Sequence, residues 1–177
     1  MNKEIVTTKT FKEIPMPWWT SEIDVYDLIY SLIKMTCAKN VMEIGVFEGY
    51  TSVKMVEALP KDGKFTGIDI NDYLKNDLKS IGPEIDFILG ESITVMQSMK
   101  PKQFDFIFVD GDHHWDNILP EFKEVVKLIT PGGVIAYHDT IGIPDVKRLM
   151  EHISKLNYNV ITFKTSDNRG LSLIQKL

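Results

Sequence analysis

Acids, histidines and a serine recur in this chain at the ends of strand-like runs. These residue types bind hydroxyls and cations and move protons. The stretch "VMEIGVFEGYTSV" (41–53) carries Glu43, Gly45 and Gly49 between an apolar run and a helix-like one. "FTGIDIN" gives Asp69, "ILGES" gives Ser92, "FDFIFVDGDHHWD" gives Asp110, Asp112, His113 and His114, and "GVIAYHDT" gives His138 and Asp139. An aspartate at a strand tip, twenty residues after Gly49, is placed to accept hydrogen bonds from two ribose hydroxyls. Helix capping is the other use of such a position, but Asn71 and Asp72 are already available for it. A histidine, with an ordinary pKa near ~6.5, can take a proton at neutral pH. Capping explains any one of these strand ends; a functional rim explains all five.

The elements that must position these residues alternate. Strand-like runs cover 41–46, 64–70, 85–90, 104–110 and 133–139. Helix-like runs cover 51–59, 72–80, 92–99, 116–129 and 144–156, and another starts at Ser21, which can cap it. In that first helix Val25, Leu28, Ile29, Leu32 and Ile33 share a face, and in the fourth of the alternating helices Ile118, Phe122, Val125 and Ile129 do. Near-continuous apolar strands separated by helices predict a parallel sheet covered on both faces. "YNVITFKT" and "GLSLIQKL", joined by "SDNR", predict a closing β-hairpin. The expected architecture is α/β: a single doubly wound, Rossmann-like domain over 21–177, mostly parallel with a C-terminal antiparallel hairpin, preceded by an arm over 1–20. In such sheets ligands bind outside the carboxyl ends of the strands, where the polar residues lie.

The first turn selects the ligand. A dinucleotide fingerprint reads G-x-G-x-x-G, whereas after Gly45 the second and third glycine positions hold Phe47 and Tyr50. A phenylalanine where backbone must approach a pyrophosphate, and Glu43 just before it, argue against a phosphate and for a cationic or amine-bearing nucleoside. S-adenosylmethionine, a sulfonium with a ribose and an amino-acid tail, meets that description.

"VMEIGVFEGYTS", "FTGIDIND", "ILGES" and "FDFIFVDGDHHWD…PGGVIAYHDT" together resemble the successive motifs of class I S-adenosylmethionine-dependent methyltransferases. More narrowly they are similar to the small bacterial branch related to catechol and caffeoyl-CoA O-methyltransferases, over roughly residues 20 to 177. The resemblance implies that Glu43 orders the cofactor's amino-acid end, that the backbone at Gly45 and Gly49 passes close to it, and that Thr51 bonds its carboxylate. It implies that Asp69 binds the ribose, that Ser92 lies at the adenine and that Asp112 flanks the ring; Phe47, Ile70, Asp110 and His113 are counted with the cofactor-binding set. Asp110 and Asp139 match aspartates that hold a divalent metal such as Mg²⁺ in the metal-dependent branch, and His113 stands where a lysine serves as general base. Two departures bear on that mechanism: Thr140 replaces the branch's third metal ligand, an asparagine, and the base is histidine. The expected catalytic residues are His113 and Asp110. His138 reads either as a metal ligand or as a core histidine bonded to backbone.

The expected activity is methyl transfer to a small-molecule hydroxyl; transfer to nitrogen, a nucleotide-dependent oxidoreductase and a non-catalytic cofactor-binding module are the alternatives. Net charge is −5 with no basic block, which gives nucleic-acid binding no electrostatic support. There is no apolar stretch of membrane-spanning length, and a single cysteine, Cys37, read as a packing residue, suits a reducing cytoplasm. Trp18, Trp19 and Trp115 are candidates for the aromatic walls of a substrate pocket, or for packing or a homodimer contact.

Overall fold

Strict alternation of apolar side chains along the central strands splits one sheet into two cores. The computed structural model describes residues 21–74, 78–101 and 103–176. Strands β1 (Asn40–Ile44), β2 (Lys64–Asp69), β3 (Glu84–Leu89), β4 (Phe104–Val109), β5 (Ile129–His138), β6 (Tyr158–Phe163) and β7 (Leu171–Lys176) form one sheet in the order β3-β2-β1-β4-β5-β7-β6. Val41, Phe65, Phe106, Phe108 and Ala136 point to the face covered by helices α1 (Ile23–Met35) and α2 (Tyr50–Ala58). Met42, Ile68, Ile107, Val109 and Ile135 point to the other face, under α3 (Ser92–Gln97), α4 (Trp115–Leu128) and α5 (Pro144–Ile153). Burial on both faces is what parallel pairing with helical crossovers requires.

β1 is flanked in parallel by β2 and β4. The chain moves outward through β2 and β3, then returns to the other side of β1 with β4 and β5. The switch point is therefore the crevice above the carboxyl ends of β1 and β4, where open sheets take ligands. The expected hairpin is present, but β7 inserts between β5 and β6 and is antiparallel to both.

Three local expectations are corrected. The helix expected over 72–80 is replaced, among the described residues, by an open segment and a 3-10 turn, Leu78–Ile81. Asn71 and Asp72 favour turns over helix interior, and only Leu78 of that turn is buried. Ser21 does not cap α1: its N-cap is Glu22, with no side-chain capping bond. Cys37 is exposed, in a left-handed turn after α1 (φ 53°), rather than packed. The arm with Trp18 and Trp19 lies outside the described residues. Among those described, no helix is long and apolar enough to cross a membrane.

Candidate active site

The turn between β1 and α2 is shaped by its contacts with β2 and β4. Gly45 adopts φ 85°, and a Cβ there would overlap the Asp110 carbonyl and come within 2.9 Å of Gly111 Cα. Only glycine allows this approach. Gly49, the N-cap of α2, is also left-handed (φ 83°), and so is Phe47 (φ 48°), a rare state for a bulky residue. Asp69 secures the turn: its Oδ2 accepts from the backbone N–H of Val46 (3.0 Å) and Phe47 (2.8 Å), and its Oδ1 accepts from Asn71 N–H (2.9 Å). A carboxylate has about four acceptor sites, so these three bonds leave Asp69 some capacity for a ligand.

Glu43 lies behind the turn. It is 1% exposed, accepts a hydrogen bond from Ser52 Oγ on α2, and lines neither cavity described below. Burial pushes its pKa well above the usual carboxylate range, Ser52 opposing and the Asp110 and Asp69 charges adding to the rise.

A second cluster gathers at the ends of β4 and β5. Asp110 accepts from Ser21 Oγ (2.6 Å) and faces His138 Nδ1 (3.1 Å), while His138 Nε2 lies 2.6 Å from Glu22 Oε2. Thr165 Oγ1 donates to the other Glu22 oxygen (2.5 Å). With both ring nitrogens on carboxylates, His138 acts as a doubly donating imidazolium. Burial lowers its pKa, but Asp110, Glu22 and Asp139 outweigh that and raise it to about 10. Burial likewise pushes Asp110 and Glu22 up, and their hydrogen bonds and the His138 charge bring each down to about 2. Beside this relay, Asp139 (φ 60°) receives Arg169 on both oxygens, Nε–Oδ1 2.6 Å and Nη2–Oδ2 2.9 Å. His113 Nε2 lies 3.2 Å from Asp139 Oδ2 and 4.0 Å from Asp110 Oδ1, yet has no well-aligned hydrogen bond.

Two cavities open over this crevice. One, of about 660 Å³, is lined by Asp69, Ile70, Ser92, Asp112 and Glu121 among others. The other, of about 560 Å³, is lined by Tyr26, Glu48, Tyr50, Thr51 and Arg169 among others. They share five residues: Gly45, Phe47, Asp110, Gly111 and His113. Most of the expected site residues thus come together, with Asp110 and His113 on the common wall. Asp110, His113 and Asp139 offer ligand atoms within 4.8 Å of one another.

Several of these residues also make contacts within the protein. Asp112 holds the start of α4: it accepts from His114 N–H (2.7 Å) and Asn117 Nδ2 (2.7 Å) and faces the His114 ring (2.6 Å). Burial pushes its pKa up, and those bonds bring it to about 2. Trp115 lines neither cavity; Arg148 stacks over its ring at 3.7 Å and His152 meets it edge-on. His138 is a core histidine, but carboxylates rather than backbone satisfy it. Sequence reasoning missed Glu22, Arg169 and Glu121. Glu121 carried a signal, since it falls on the buried face of α4 with Ile118, Phe122 and Val125.

Comparison with known proteins shows the family. The chain is 36% identical over 137 residues to caffeoyl-CoA O-methyltransferase 1 of Eucalyptus globulus, covering 71% of this chain and 55% of that protein. It is 37% identical over 138 residues to caffeoyl-CoA O-methyltransferase 2 of Petunia hybrida, covering 71% and 56%. The chain therefore spans little more than half the length of these curated relatives. Its fold matches the O-methyltransferase TomG of Streptomyces achromogenes, solved with SAM (TM-score 0.78, 21% identity, 95% of this chain and 86% of that one). It also matches the Bacillus cereus O-methyltransferase solved with SAH (TM-score 0.79, 18% identity, 98% and 93%). Residues 3–166 match the O-methyltransferase family model, nearly the whole chain, and the chain belongs to that family.

Proposed function

We propose that the chain transfers the methyl group of S-adenosylmethionine to an oxygen of a small-molecule acceptor. The observation that carries this reading is the pair of cavities meeting at Gly45, Phe47, Asp110, Gly111 and His113. The larger one, with Asp69 on its wall, suits the nucleoside; the smaller one, with Thr51 and Arg169, suits the amino-acid tail and the acceptor. The methyl group then lies at the shared wall.

Transfer is an in-line displacement in which the acceptor oxygen bonds the methyl carbon as the sulfur–carbon bond breaks, leaving S-adenosylhomocysteine. The sulfonium is already a good leaving group, so the protein's task is to align the reactants and remove a proton. The partly exposed His113 imidazole accepts the acceptor's hydroxyl proton. The imidazolium so formed faces Asp139 and Asp110, at 3.2 and 4.0 Å, which stabilise its charge. The Glu22–His138 relay and Ser21 fix Asp110, and Arg169 fixes Asp139.

Asp110 and Asp139 also fit a divalent cation of the Mg²⁺ class, which takes carboxylate oxygens, and each offers an oxygen within 4.8 Å of the other. Asp110 and Asp139 would hold it, leaving His113 as the base, and it would lower the acceptor hydroxyl's pKa. Arg169 already occupies both Asp139 oxygens, so the ion has to share that carboxylate with a guanidinium. The reading also places the chain in a reducing cytoplasm, in keeping with its single cysteine.

The test is a methyl-transfer screen with labelled cofactor and mass detection, over phenols including caffeoyl thioesters, sugars and amines. A labelled O-methyl product is the expected result. Label on nitrogen acceptors alone, or on none with cofactor bound, would overturn transfer to oxygen.

A further inference from the structure

Glu121 is the buried acid that the reaction above leaves unused. It sits on α4, 3% exposed, and lines the larger cavity. Its Oε2 accepts the Ser92 hydroxyl at 2.5 Å. Its Oε1 is buried with no hydrogen-bond partner. The charges that act on it are those of Asp112 and Glu91, both of its own sign; together with burial, and against the Ser92 bond, they push its pKa up to about 7. An acceptor left open in this way is costly to the free protein. A ligand that brings a hydrogen-bond donor to it removes that cost.

The cavity restricts what that donor is. Asp69, where the ribose reading places the sugar, and Ser92 with Glu121 line this one cavity. A purine extending from the ribose meets them with its base edge. Adenine's ring nitrogens N1, N3 and N7 are acceptors; its only hydrogen-bonding N–H donor, once the sugar is attached, is the exocyclic 6-amino group. A 6-oxo purine presents an acceptor there instead.

We propose that Glu121, held by Ser92, is the base-reading residue of the cofactor site, its carboxylate accepting a hydrogen bond from the 6-amino group of adenine. This inference rests on the S-adenosylmethionine reading and adds to it a residue that selects amino over oxo purines. Selection of this kind is strong because the wrong base leaves two acceptors facing each other in a buried place.

The experiment is calorimetric titration of the full chain at pH 8, where Glu121 is mostly ionised, with S-adenosylhomocysteine and with S-inosylhomocysteine, its 6-oxo analogue. The wild type is expected to favour the adenosine compound by on the order of tenfold to a hundredfold, the range for a hydrogen bond to a charged group. Glu121→Gln keeps shape and can still accept from Ser92, while its amide can donate to a 6-oxo group. It should therefore lose about tenfold for S-adenosylhomocysteine and gain for S-inosylhomocysteine. Equal loss for both ligands, or no change for either, would assign Glu121 to holding α3 against α4 and overturn the inference. A wild type that binds both analogues equally overturns it without need of the variant. A wild type that binds neither overturns the cofactor reading itself, a different outcome from lost discrimination.

Discussion

His113 and Asp139 reach each other from the ends of two neighbouring strands, with Nε2 of the histidine 3.2 Å from Oδ2 of the aspartate. The same imidazole lies on the wall common to both cavities. If it removes the acceptor's proton, His113→Ala should lose roughly 10²–10⁴ in the single-turnover rate and bind S-adenosylhomocysteine almost unchanged. His114→Ala should cost far less, because His114 is exposed and paired with Asp112. Rapid-quench kinetics beside calorimetry separates the effects; equal losses in the two variants would remove the general-base role.

Arg169 neutralises a nearly fully buried carboxylate whose backbone is in the left-handed region. Removing one partner of such a pair leaves a charge uncompensated, and with Arg169 partly exposed the expected cost of Arg169→Gln is about 2–3 kcal/mol in denaturant unfolding. The same substitution frees both Asp139 oxygens. Mg²⁺ should then bind more tightly and stimulate methyl transfer more than in the wild type. Unchanged Mg²⁺ titrations in wild type and variant would exclude a cation on Asp110 and Asp139.

The strand ends were legible in the sequence because each falls after an apolar run of fixed period, and the glycines of the first turn announce a backbone conformation that other residues avoid. So Gly45, Asp69, Ser92, Asp110 and His113 could be assembled before any coordinates. Glu22 and Arg169 could not. One opens α1 and the other sits in the β6–β7 turn, and in sequence each looks like an ordinary surface charge. What recruits them is the insertion of β7 beside β5, which brings the turn at 165–170 to the end of β5, where Asp139 and His138 lie. The hairpin's existence was readable, but its place in the sheet depends on long-range pairing that no local pattern encodes. The helix expected over 72–80 failed for the opposite reason: a plausible local pattern lacked enough buried apolar residues to hold it against turn-forming Asn71 and Asp72.

Asp69 has two tasks, and they should separate on mutation. Asp69→Ala removes the acceptor for the Val46 and Phe47 amides as well as for ribose hydroxyls. It should weaken S-adenosylhomocysteine binding by about 1.5–3 kcal/mol and lower the stability of the ligand-free protein by about 1 kcal/mol. Loss of stability with affinity intact would confine Asp69 to the turn.

Glu121 should leave a pH signature in the ligand-free protein. Its folded pKa is about 7, against an ordinary value of 4.5. Between those values the folded state keeps a proton that the unfolded state has released, so unfolding free energy falls as pH rises. The contribution is fully present below pH 4.5 and lost once pH passes 7. The interval corresponds to at most ~3.4 kcal/mol. Glutamine does not titrate, so the stability of Glu121→Gln relative to wild type should rise by about 2–3 kcal/mol between pH 5 and pH 8. Urea unfolding of both proteins across that range, without ligand, measures it. A difference that stays flat with pH would mean that Glu121 is already ionised in the folded protein near pH 5, with solvent or a cation satisfying Oε1. The buried open acceptor that makes it a base reader would then be absent.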